Sequence, residues 1–244
     1  MKAQTVIVTG ASSGIGKAVA SYFLAQGDNV VINSATPEKL EQTYQELGAG
    51  PNLAMVAGNV SDKRTGEQLV KTAIEKFGSA DVLINNAGIF ANKAFLEVDE
   101  AYLDQFLNTN LKGTFFTTQA IIPQMLKQHA GAIINIGTPL VYHALGGAPA
   151  TAPISSKGAI HALTLQLAAE FGKDNIRVNT IAPGVIRTPM HGEHADAAAG
   201  IHLLKRIGEV DEVAQMVYAV AKNTFVSGAI INVDGGMGAG HHLG

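Results

Sequence analysis

Seven short β-branched runs recur along the chain, separated by stretches with helical apolar spacing, and this alternation restricts the fold more than any other feature. The runs are Thr5–Val8, Val30–Ile32, Leu53–Val56, Val82–Ile84, Ala132–Ile136, Arg177–Ile181 and Ala229–Val233. Helices are predicted between them at Gly16–Ala25, Pro37–Leu47, Arg64–Phe77, Asp99–Gln128, Ser155–Phe171 and Glu212–Ala221. Strands that are apolar throughout are covered on both faces, and a helix between successive strands returns the chain for parallel pairing. The pattern predicts one α/β domain over residues 1–244, a doubly wound parallel seven-stranded sheet. With 47% apolar residues in 244, the chain can bury a single large core.

The first strand runs into Thr9-Gly10-Ala11-Ser12-Ser13-Gly14-Ile15-Gly16, which opens the first helix. Glycines in such a turn let the backbone approach a pyrophosphate. The free N–H groups and positive end of the helix dipole then meet its charge. Strand, glycine-rich turn and helix in this order make the fold of Rossmann type, with Gly10, Ser12, Ser13, Gly14, Ile15 and Gly16 as candidate dinucleotide contacts.

At these residues the chain resembles the short-chain dehydrogenase/reductase family, whose form of the loop is TGxxxGIG. The resemblance continues in the family's order through Asn85-Asn86-Ala87-Gly88, Asn110 in LNTNLKG, Pro183-Gly184 through Thr188, and Val233-Asp234-Gly235-Gly236. It implies a nicotinamide cofactor held also by Asn86, Ala87, Gly88, Lys157, Pro183, Gly184, Ile186 and Thr188, with Asn59 and Val60 on the adenine side. An acid at the end of the second strand would bind the ribose hydroxyls of NAD, but VVINSATPEK has Ser34 there. No carboxylate repels a 2′-phosphate, and Asn33, Ser34 and Thr36 are candidate donors to it, so NADP(H) is favoured over NAD(H). No arginine stands at Ser12 or Ser13, as it does in many NADP-using relatives.

The resemblance also implies hydride transfer between the nicotinamide and a small ketone or secondary alcohol. In the family a serine orients the carbonyl, a tyrosine moves the proton, and a lysine binds the ribose and lowers the phenol's pKa, with an asparagine behind them. Lys157 matches the lysine and Asn110 the asparagine, while Thr138 stands at the serine position. Four residues before Lys157, where the tyrosine is expected, the chain has Pro153, which offers neither a titratable proton nor a donor. Proline is comfortable in the first turn of a helix, so Ala152-Pro153 reads as a helix start. Tyr142 and His143 are candidate replacement acids, Tyr142 the closer chemical substitute, and solvent is a third source. Three activities stay open: a reductase with a rearranged proton donor, a dinucleotide-binding protein with little turnover, and a non-redox lyase or isomerase on the same fold.

Charge and composition narrow the partners. A net charge of −3 from scattered residues gives no basis for binding nucleic acid or an acidic membrane surface. The absence of cysteine removes zinc-thiolate sites and thiol nucleophiles. The opening MKAQTVIVTG reads as a strand and its turn rather than a leader, and no apolar run reaches membrane-spanning length, so a cytoplasmic location is expected. His191, His194, His241 and His242 lack an evident further ligand, so no metal is expected, and His161 reads as a core or interface residue. The irregular, Ala-rich stretch 188–206 reads as a lid. The family's usual assembly implies a homotetramer packed through the long helices.

Overall fold

A computed structural model describes residues 3–240; His241 and His242, and the side chains of Glu193 and His194, lie outside what it describes. Strands β1 (Thr5–Val8), β2 (Asn29–Ser34), β3 (Leu53–Ala57), β4 (Val82–Asn85), β5 (Gly131–Ile136), β6 (Ile176–Pro183) and β7 (Ile230–Val233) form one sheet in the order β3-β2-β1-β4-β5-β6-β7. Every pairing is parallel, with Val6 opposite Val30 on one side and Val82 on the other. This is the doubly wound Rossmann-type sheet expected from the sequence.

The apolar strands serve two cores, as their period of two requires. Val6, Val8, Val30, Ile32, Val82, Ile84 and Ile134 pack with Val19 and Phe23 of α1 (Gly14–Ala25), Leu40 of α2 (Pro37–Glu46), and Val213 and Val217 of α7 (Val210–Lys222). On the opposite face Ile7, Val31, Leu83 and Ile133 meet Leu69 and Ala73 of α3 (Lys63–Phe77) and Ile121 and Met125 of α5 (Gly113–Gln128). Leu167 and Phe171 of α6 (Thr151–Phe171) complete that face. The sheet is thus covered on both sides, and its C-terminal strand ends are left as the place where loops converge.

One predicted helix is corrected. The segment 99–128 is not continuous: α4 (Glu100–Phe106) passes into a π-helical turn at Leu107–Lys112 before α5 begins. A π turn holds one extra residue, which shifts the side chains around it out of the regular stripe. Asn110 is thereby fully buried, with its amide accepting from the Ile89 N–H at 2.8 Å and donating to the Ile89 carbonyl at 3.1 Å and to Ser156 Oγ at 2.9 Å. The strand ends are also cross-linked by polar side chains. Asn85 donates to Asn135 Oδ1 and Thr118 Oγ1, Asn135 donates to Thr164, and Thr164 pairs with Thr180. Every link is buried, so the network fixes β4, β5 and β6 against α5 and α6 directly beneath the converging loops.

Candidate active site

The glycine-rich turn is bound to the loop after β4. Thr9 Oγ1 accepts from the N–H groups of Asn86 and Ala87, both at 3.1 Å. The Asn86 amide donates back to the carbonyls of Thr9 and Gly10. Gly10 has φ of +62°, and a Cβ there would lie 2.7 Å from the Ala87 Cα; at Gly16 it would lie 2.5 Å from the Gly10 carbonyl oxygen. Only glycine permits this approach. Helix α1 starts with no side-chain cap and no acid in its first turn, so its N–H groups and dipole face the groove uncompensated.

That groove has a volume of about 410 Å³ and is lined by Ser12, Ser13, Gly14 and Ile15, by Ser34 and Thr36, by Asn86 to Ile89, and by Gly184, Ile186 and Thr188. Ser34 donates to Ser12 Oγ at 3.0 Å, and no carboxylate lines the groove among the described residues. Asn33 departs from its expected part. Both its amide N–H groups are committed to the carbonyls of Val56 and Gly58, inside the sheet, so it has no donor to spare for a phosphate. Asn59 is exposed, its Oδ1 accepting from the N–H and hydroxyl of Ser61, and Val60 is buried with its side chain packed toward Gly113. Neither residue is among those that line the groove.

A second cleft of about 280 Å³ opens from the same groove, sharing Ile15, Asn86, Gly88, Ile89 and Gly184. Its floor holds Lys157 and Thr138, and its walls are apolar, with Phe90, Leu140, Leu145 and Met237. Lys157 Nζ donates to the Ile136 carbonyl at 2.6 Å, and both Nζ and Asn110 Oδ1 lie 3.2 Å from where a Gly88 Cβ would stand. Burial pushes the Lys157 ammonium down to about 8. Thr138 Oγ1 accepts from the Leu140 N–H at 3.3 Å, capping the short turn Pro139–Val141, which leaves its hydrogen for a guest in the cleft.

Pro153 is buried in the first turn of α6, its carbonyl accepting from Ser156 Oγ at 2.7 Å. The first N–H groups of a helix have no internal partner, so proline's missing N–H costs nothing there. Its ring does not line the cleft, and neither do Tyr142 and His143. The Tyr142 hydroxyl donates to Asn232 Oδ1 at 2.5 Å, and burial raises its pKa, which makes it a poorer acid. The structure therefore does not bring Tyr142 together with Lys157 and Thr138 in the cleft.

Two histidines given no catalytic part by the sequence reach this region. His161, one helical turn beyond Lys157, is buried at 5% exposure, and neither ring nitrogen has a hydrogen-bond partner. It lies beneath Gly137, where a Cβ would approach Nε2 to 2.5 Å, and its ring stands 5.9 Å from that of Tyr142. Burial, then the charge of Lys157, lowers its pKa to about 4. The other is His191, which lines both groove and cleft. The spacing of His161 from Lys157, and the position of His191 in the predicted lid stretch 188–206, were the available sequence signals.

The stretch 188–206 contains a 3₁₀ segment, Gly192–Ile201, and contributes Met190, His191 and Ile201 to the lining of the cleft. Arg187 ties it down through Asp196 at 2.7 Å and Glu209 at 3.1 Å. At its far end His202 is buried, accepting from the Val185 N–H and donating to the Ala198 carbonyl.

A parallel sheet with a glycine-cradled groove at its first crossover and a lysine-floored cleft beside it defines a dinucleotide-binding α/β protein. The short chain dehydrogenase family matches residues 4–199, and the chain belongs to that family. It is 34% identical to the 3-oxoacyl-[acyl-carrier-protein] reductase FabG of Thermotoga maritima, covering 97% of this chain and 98% of that protein. To the (2S)-[(R)-hydroxy(phenyl)methyl]succinyl-CoA dehydrogenase subunit BbsD of Thauera aromatica it is 36% identical, over 96% of both. Among solved structures it resembles ElxO with NADP bound, with a TM-score of 0.90 and 31% identity over 98% of this chain and 100% of that one. A tyrosine-to-phenylalanine variant of ElxO with NADPH bound matches equally well. The chain is accordingly a short-chain oxidoreductase-family protein that fits a nicotinamide cofactor, and among the described residues no helix is long and apolar enough to cross a membrane.

Proposed function

We propose that this chain transfers hydride between a nicotinamide dinucleotide and a small, weakly polar ketone or secondary alcohol, with a proton donor other than the tyrosine its relatives use. The observation that carries the reading is the continuity of groove and cleft through Ile15, Asn86, Gly88, Ile89 and Gly184, with Lys157 and Thr138 on the cleft floor. A reduced nicotinamide, when bound, supplies the hydride. The glycine turn and the N-terminus of α1 hold its pyrophosphate, Lys157 holds the adjoining ribose, and Gly184 to Thr188 receive the nicotinamide end. Thr138 donates to the carbonyl oxygen and orients it, and Asn110 positions the loop at Ile89 that forms one wall. The groove residues Ser12, Ser34 and Thr36, with no carboxylate among them, favour NADP(H) over NAD(H).

Pro153 stands at the tyrosine's position in this reading, so the proton comes from elsewhere. Positioned acids contribute about 10²- to 10⁴-fold, and alignment of hydride and carbonyl retains much of the remaining acceleration. The segment 188–206 acts as the lid. The apolar groove formed by Leu111, Phe115, Phe116, Ala159, Ala162 and Leu163 supports assembly through α5 and α6 as a homotetramer.

The test follows NADPH and NADH absorbance with a panel of activated ketones and diketones, comparing the native chain with Pro153→Tyr. The native chain is expected to consume NADPH in proportion to alcohol formed. Saturable cofactor binding without turnover in the native chain, with turnover appearing only in Pro153→Tyr, would replace this reading with that of a cofactor-binding protein. Conversion of substrate at constant nicotinamide absorbance would replace it with a non-redox enzyme.

A further inference from the structure

The chemistry proposed above needs a proton donor within reach of a carbonyl in the cleft. Among the described residues lining that cleft, only Lys157 and His191 are titratable. Lys157 is held on the floor by the Ile136 carbonyl, beside Gly88. In the function proposed above its ammonium is already engaged by that carbonyl and by the cofactor ribose. His191, in the stretch after β6, is exposed and lines both the cleft and the cofactor groove.

The His191 ring is also oriented. Its Nδ1 lies 2.9 Å from the Ile186 carbonyl oxygen and 3.3 Å from Thr188 Oγ1. A carbonyl oxygen can only accept, so Nδ1 carries a hydrogen in the neutral ring as well as in the imidazolium. Nε2 makes no hydrogen bond among the described residues, and it is the nitrogen left for a guest. This is the arrangement expected of an acid/base histidine, in which one nitrogen is fixed by a carbonyl so that the other can exchange a proton.

From this geometry we infer that His191 is the proton donor for carbonyl reduction in this chain, delivering the Nε2 proton to the carbonyl oxygen from the lid side, and the inference rests on the function proposed above. In the step, hydride passes from the reduced nicotinamide to the carbonyl carbon. The C=O π bond opens, and its electron pair takes the Nε2 proton to form the alcohol. The nicotinamide leaves oxidised, and His191 remains neutral with Nδ1–H on Ile186. Water at the rim restores the Nε2 proton. In the oxidative direction the neutral Nε2 removes the alcohol proton.

Two measurements test it. The first compares turnover and NADPH affinity in the native chain, His191→Gln, His191→Gly and Tyr142→Phe. His191→Gln is expected to lose about 10²- to 10⁴-fold in kcat at saturating NADPH, with cofactor affinity read separately by fluorescence so that saturation is assured. Added imidazole is expected to restore part of the activity of His191→Gly, and Tyr142→Phe to retain native activity. The second adds 1-phenyl-2,2,2-trifluoroethanol to histidine-¹⁵N-labelled protein without cofactor, with His191→Gln assigning the ring resonances. The His191 Nε2 resonance is expected to move on addition of this acidic alcohol, while Nδ1 stays. Native-like turnover in His191→Gln, or an Nε2 resonance that ignores the alcohol, overturns the inference while leaving the oxidoreductase reading intact. Failure of the native chain with every ketone counts against that reading instead, and the ring-nitrogen measurement still decides whether His191 meets an alcohol in the cleft.

Discussion

Replacing His161 by leucine should remove most of the protein's sensitivity to mild acid. The native imidazole is neutral, buried and without a partner on either nitrogen, and its pKa is lowered from 6.5 to about 4. The unfolded chain therefore takes up this proton first as the pH falls. Stability is lost progressively from about pH 6.5 downward, and the loss levels off below about pH 4, where both states are protonated. Between about pH 8 and about pH 5 the difference in proton uptake amounts to ~2 kcal/mol, a large share of a typical domain's stability. The lowered carboxyl groups of Glu46, Asp62, Asp99, Asp196 and Glu212 contribute only at lower pH. Lys157, lowered to about 8 by burial, acts only above that window, where its deprotonation in the folded state raises stability with pH. Leucine has a similar volume and no polar atom to leave unpaired, a cost of roughly 1–3 kcal/mol per buried group. His161→Leu should thus be no less stable than the native chain near pH 8 and clearly more stable near pH 5. Guanidinium unfolding at the two pH values measures both. Equal losses in the two proteins would show that His161 titrates normally, and the burial argument would be wrong.

Gly10→Ala should lose about 1–3 kcal/mol of stability and most cofactor affinity, because the added Cβ meets the Ala87 Cα at a positive φ. A native melting temperature and native NADPH titration would refute the tight-turn account. Ser34→Asp should shift the ratio of NADPH to NADH affinity toward NADH by at least about 10-fold, since a carboxylate accepts from ribose hydroxyls and repels a 2′-phosphate. An unchanged ratio in a fluorescence titration would mean that Ser34 does not face the adenine ribose.

The parallel sheet was readable because the strand signal is local. Val6, Ile7 and Val8 are apolar on both faces, a pattern that only a doubly covered strand satisfies. Gly10 and Gly16 were equally legible, since a glycine-rich turn between strand and helix has few other uses. The break at Leu107–Lys112 was not, because a π turn has no composition of its own; the partners that stabilise it, Ile89 and Ser156, are remote in sequence. Asn33 looked available from its place at a strand end, but its neighbours Val56 and Gly58 are brought there only by β2–β3 pairing.

Sequence alone determined the covalent fact that no tyrosine lies within four residues before Lys157. Which group faces the carbonyl is a matter of through-space distance. Tyr142 is close in sequence to Thr138, yet its hydroxyl is drawn to Asn232 on β7. His191 is distant from Lys157 along the chain, and the return of the segment after β6 across the strand ends brings it into the same cleft. Patterning sets which faces are buried, but side-chain direction at a convergence of loops depends on contacts among elements far apart in the chain. Those contacts exist only once the sheet is closed beneath them.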